Sequence, residues 1–116
     1  MDLFRASLVH FATLKHDLPG QMRRVAKFLD IPIDESKWNA MVAHCSFAWM
    51  KKNATRSVPL GGAFWDAGAE VFINQGVNGR WADVLTVDEA AEYEARAEAQ
   101  LGRDCARWLA TGEQSK

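Results

Sequence analysis

The residues of this chain whose types and spacing could do chemistry are gathered between positions 71 and 81. The stretch Val71-Phe72-Ile73-Asn74-Gln75-Gly76-Val77-Asn78-Gly79-Arg80-Trp81 joins an aromatic entry to two glycines separated by two residues and a closing tryptophan. Glycine reaches positive φ at little cost and lets a main chain approach a phosphate with no Cβ in the way, so an anion site is one interpretation. A surface turn is the other, because the same spacing suits a turn with no ligand. His10, His16 and His44 share no ligand spacing, and a metal site needs a cluster, so no metal is assigned. The chain also lacks G-x-x-x-x-G-K-[ST], G-x-S-x-G and H-E-x-x-H motifs, which leaves no nucleophile and no catalytic residue to name.

Bulk properties narrow the setting of that stretch. A chain of 116 residues with 48% hydrophobic and 25% charged residues has the makeup of one soluble globular domain. A net charge of -1 supplies no global basic field, which argues against nucleic acid and anionic membrane as partners and makes any anion affinity local. Cys45 and Cys105 form neither a C-x-x-C pair nor a disulfide framework, so reduced, buried thiols are expected. The apolar pair Leu8-Val9 is cut short by His10 and Lys15, too soon for a signal-peptide core or a membrane span. A cytoplasmic location is expected by elimination.

The elements that must position the stretch are mostly helical. Ser7 to Phe11 is short, apolar and β-tolerant, and is expected as a buried strand. Asp17 can cap a helix with Leu18, Met22, Val25 and Leu29 on one stripe, ending near Asp30 before Pro32. A second helix is expected from Asp34, with Trp38, Met41, Val42 and Cys45 facing inward. From Asn53 to Asn78 the chain reads as a long Gly-rich loop, which a compact domain tolerates when the loop folds over something. Thr86-Val87-Asp88-Glu89 satisfies the capping-box pattern and opens a helix running to about Leu101. Beyond Gly102, a short turn over Asp104 to Leu109 is expected to pack Trp108 back onto the body.

Three segments in order resemble the sulfotransferases that use 3′-phosphoadenosine 5′-phosphosulfate (PAPS). Phe72, Gly76, Gly79 and Trp81 fall on their F-x-R-K-G-x-x-G-x-W signature, Phe11 to Lys15 is similar to Y-E-D-L-K, and His44 to Lys51 is similar to H-T-S-F-x-x-M-K. The resemblance runs from about Leu8 to the end of the last helix and is to bacterial-type members. It implies an α/β fold: the C-terminal part of a sulfotransferase (P-loop NTPase-like) fold over residues 1–116, mostly α-helical as it stands, with one short strand and a long Gly-rich loop. The family's phosphosulfate loop and catalytic Lys and His lie upstream of Y-E-D-L-K, where this sequence has ten residues. The chain is therefore expected to be a portion of the domain, without turnover alone.

The resemblance also implies a co-substrate site. Phe11, Cys45, Ser46, Phe47 and Met50 would hold adenine, and Phe72, Ile73, Asn74, Gln75 and Gly76 would close over the 3′-phosphate of PAPS. Stacking of adenine on Phe47 and soft packing on a thioether agree with that assignment. An aromatic or Met at helical spacing also simply fills core. Asn74 and Gln75 stand where the signature has Arg and Lys, and a neutral amide holds phosphate about half as strongly as a cation, so binding should be weaker or lean on Arg80 and the backbone near Gly76. The family's K-x-x-x-T-V-x-x-x-E dimer motif has Ala82 and Ala91 at its charged positions here, so that interface is not expected. In the complete enzyme the reaction would be sulfuryl transfer from PAPS to a hydroxyl or amine of a small-molecule acceptor. The alternative is a noncatalytic truncated module that associates with a partner or itself through surface exposed by truncation.

Overall fold

A computed structural model describes residues 6–113 of the chain. In chain order the helices are α1 (Phe11–His16), α2 (Leu18–Phe28), α3 (Trp38–His44), α4 (Phe47–Lys52), α5 (Ala54–Ser57), α6 (Ala69–Phe72), α7 (Val87–Leu101) and α8 (Arg103–Thr111), with 3-10 turns at Pro59–Gly62 and Arg80–Asp83. The chain divides into two compact units: a central unit, Leu18–Gly76, and a terminal unit that joins the residues up to Asp17 to those from Val77 onward.

The strand expected over Ser7 to Phe11 is not found, and no strand occurs among the described residues. His10 does have an extended backbone, with φ -84 and ψ 132, but no second strand is there to pair with it. Its imidazole instead caps α1, so Phe11 begins a helix. Because the Ala12 N–H must donate to Nδ1 (3.1 Å), Nε2 carries the hydrogen that the Leu109 carbonyl accepts at 2.7 Å. That bond ties α1 to the last turn of α8, and the Trp108 ring meets the imidazole edge-on with centroids 5.3 Å apart. Thus α8 does fold back as expected, though it runs a full nine residues.

The capping box at Thr86 and Glu89 forms as its pattern predicts, and α7 spans the expected residues. In the central unit, α2 closes on Asp30, whose φ of 55 lets the Ile31 N–H reach the Ala26 carbonyl and its own N–H the Lys27 carbonyl. The second helix starts at Trp38 rather than Asp34, since Asp34 accepts from the Ser36 N–H and hydroxyl and so holds a turn instead of a cap. Trp38 is buried, and the Arg23 guanidinium lies 4.1 Å from its ring while forking onto Glu35 at 2.6 and 3.0 Å. The long loop is subdivided by α5, a 3-10 turn and α6, which bury Ala54, Val58 and Ala69 against Trp65 and Ile73. Both cysteines are exposed, which corrects the expectation of buried thiols: Cys45 terminates α3, and neither joins this cluster.

Gly62 has φ 85, and a Cβ there would lie 2.4 Å from the Ala69 nitrogen. Gly62→Ala should therefore destabilise the central unit by more than about 1 kcal/mol, read as a lower thermal midpoint. Thr86→Ala should cost about 1 kcal/mol through loss of the cap. The Thr86 backbone N–H, and then its hydroxyl, hold the Glu89 carboxyl below its ordinary value of 4.5. A depressed carboxyl stabilises above its unfolded value and ceases to as pH falls through the folded one. Circular dichroism should accordingly show α7 fraying below pH 4.5 in the wild type. Glu89→Gln should flatten that acid response.

Candidate functional site

The central unit brings most of the expected site residues to one region, around the junction of α3 and α4 and the segment leaving α6. Cys45 caps the end of α3 and the next residue, Ser46, caps the start of α4: its Oγ accepts from the Trp49 N–H at 3.2 Å and donates to the Ala43 carbonyl at 2.7 Å. Ser46 is thus engaged as a helix cap, the role for which a serine at that place is suited. Met50 is half-buried in the same helix. Phe47 keeps 37% of its surface exposed. On its other side the ring lies against the backbone of Gly76, where a Cβ would come within 2.7 Å of ring atoms Cδ2 and Cε2. Gly76 also has φ 64, a conformation that side-chain-bearing residues rarely adopt.

The residues from the end of α6 to Gly76 divide by role. Phe72 packs on Trp65 with ring centroids 4.6 Å apart, and Ile73 packs on the Ala54–Val58–Ala69 cluster. Ile73 therefore anchors the segment to the cluster, and Phe72, still half exposed, adds a ring contact with Trp65. Asn74, Gln75 and Gly76 follow as exposed chain. Phe11 falls in the terminal unit, where it lines a groove of about 450 Å³ with His10, Asn78, Gly79, Trp81 and Trp108. Arg80, the cation on which weak phosphate binding was expected to lean, is also in that unit.

The sequence marks no role for Lys51, yet the structure gives it a defined place. It lies four residues after Phe47, so one helix face carries both. Its ammonium is 5.9 Å from the centroid of the Phe47 ring and donates to the Asn74 carbonyl. The terminal unit repeats the arrangement: the Lys15 ammonium is 5.9 Å from the Phe11 ring, again at a spacing of four, and donates to Asn78 Oδ1 at 3.2 Å. The aromatic-x-x-x-Lys spacing within both segments was the signal available for these contacts.

Chemically, the central-unit arrangement offers an aromatic face, a cation and a side-chain-free stretch of backbone. Those groups can receive a flat ring and an anion. Among the described residues there is no cluster able to hold a metal ion, and no helix is long and apolar enough to cross a membrane.

The chain matches the family described as the sulfotransferase domain over residues 2–104, and it belongs to that family. Membership is consistent with a P-loop-like fold, here represented by helices. Among curated relatives, sulfotransferase 2B1 of Mus musculus is 28% identical over 88 residues, which is 75% of this chain and 26% of the relative. Sulfotransferase 1B1 of Mus musculus is 27% identical over 88 residues, covering 75% and 29%. Sulfotransferase 2B1 of Homo sapiens is 27% identical over 94 residues, covering 80% and 26%. The chain thus spans about a quarter of the length of these relatives. No solved structure gave a significant match.

The contact between Gly76 and Phe47 can be probed directly. Gly76→Ala should shift the Phe47 ring resonances in an NMR spectrum and cost about 1 kcal/mol or more in stability, read as a lower thermal midpoint. Unchanged ring shifts would show that the ring does not rest on the turn.

Proposed function

We propose that this sulfotransferase-family chain carries the half-site for the adenine and 3′-phosphate of PAPS, as the C-terminal portion of the family domain. Phe47 would stack on the adenine, flanked by Cys45, Ser46 and Met50, and the Asn74-Gln75-Gly76 backbone would close over the phosphate. Phe72 and Ile73 would hold that backbone in place. In the complete enzyme the reaction is transfer of the sulfuryl group of PAPS to a hydroxyl or amine of a small-molecule acceptor.

The single observation that carries this proposal is the close approach of Gly76 to the Phe47 ring. Two segments distant in sequence, each similar to a nucleotide-contacting segment of the family, meet there with no Cβ between them. A turn serving only to reverse the chain has no need of an aromatic partner half exposed to solvent.

Calorimetry with 3′,5′-adenosine bisphosphate tests the proposal. Saturable binding by the wild type is expected, weakened by Phe47→Ala, whose lost stacking is worth roughly 1–3 kcal/mol, or about ten- to hundredfold in Kd. Absence of binding, with concentration-dependent self-association in the ultracentrifuge, would favour an interaction module instead. The polypeptide alone is expected to sulfate a phenol no faster than background when supplied with PAPS, and turnover above background would show that it holds catalytic groups of its own.

A further inference from the structure

We infer that Lys51 is the cationic contact for the 3′-phosphate, replacing the basic side chains that the turn lacks at Asn74 and Gln75. This rests on the half-site proposed above and adds which residue reads the charge.

The cations of the chain are occupied in different ways. Arg23, Lys37, Arg96 and Arg107 are each paired with a carboxylate, on Glu35, Asp34, Glu92 and Glu113. Lys51 is placed differently. Its ammonium is located by a backbone carbonyl, that of Asn74, and makes no ion pair among the described residues. A carbonyl fixes the position of the charge without neutralising it. An ammonium has three donors, and one carbonyl engages one of them. The others lie next to the exposed chain of Asn74 and Gln75, whose own side chains are neutral, and beside the ring of Phe47.

The geometry therefore joins, within one unit, a stacking face, a glycine backbone free of Cβ and an unneutralised cation. The 3′-phosphate on the ribose of an adenosine whose base stacks on Phe47 would meet that cation. The competing role for Lys51 is a purely structural clamp from α4 to the segment after α6. A clamp needs a hydrogen-bond donor, whereas a phosphate reader needs a charge.

The full chain should be titrated calorimetrically with 3′,5′-adenosine bisphosphate and with adenosine 5′-monophosphate, which lacks the 3′-phosphate. The wild type should prefer the bisphosphate. Lys51→Gln keeps a donor for the Asn74 carbonyl but not the charge, and should weaken bisphosphate binding about tenfold or more while changing monophosphate binding by no more than about twofold. Lys51→Arg should restore the preference. If Lys51→Gln keeps the wild-type ratio of the two affinities, Lys51 is a clamp and this inference falls, while wild-type binding leaves the half-site standing. If the wild type does not bind the bisphosphate, half-site and contact fall together. Lys51→Met provides a second charge-free variant, and loss of fold in both, seen by circular dichroism, would also overturn the inference by making Lys51 a structural necessity.

Discussion

The ring of Phe47 occupies the space that a side chain at residue 76 would fill, and much of the central unit can be understood as arranging that contact. Phe47 is delivered by the first turn of α4, so its position depends on the Ser46 cap and on the sharp passage from α3 through Cys45. Gly76 is delivered by a segment whose preceding residues, Phe72 and Ile73, are held by Trp65 and the small cluster of Ala54, Val58 and Ala69. The ring thus senses packing at both ends of the unit. Replacing glycine at 76 would meet a steric and a conformational objection at once.

That packing is economical in apolar volume. The buried hydrophobic residues are Trp38, Ala54, Val58 and Ala69, three of them small or medium in size. Close approach of backbones partly takes the place of bulk: Gly62 faces the main chain of Ala69 with no room for a Cβ. Leu60 is held at φ 51 beside Gly61 and Gly62, an unfavourable conformation for a branched side chain that the surrounding turn imposes.

Several features were legible from residues alone. The capping box at Thr86 and Glu89 is local chemistry, complete within four consecutive residues, and α7 follows it. The stripe of Leu18, Met22 and Val25 likewise falls on α2, although Leu29, expected on the same stripe, lies past its end and is exposed. The segment resemblances indicated the family, because residue order survives where spatial arrangement is unknown. What misled was burial. Ser7 to Phe11 has strand-like composition, but a strand exists only through its partner, and here a histidine cap and a bond to Leu109 decide the matter. The two thiols resemble buried hydrophobes by type, yet a helix end and a helix surface leave them exposed.

By itself, then, the sequence determined the helices that carry their own caps and periodicity, the absence of any global charge field, and the family to which the three ordered segments belong. Only the tertiary structure decided that Gly76 would meet Phe47, that Ile73 would pack on the small cluster while Phe72 rests on Trp65, and that Lys51 would deliver its charge to the carbonyl of Asn74. The physical reason is range. Caps and helical stripes are settled between residues a turn apart, whereas Lys51 and Asn74 are separated by 23 positions and meet only when intervening helices have packed. Side-chain identity can announce a cation or a ring, but which vacancy it fills depends on the path of the chain between them.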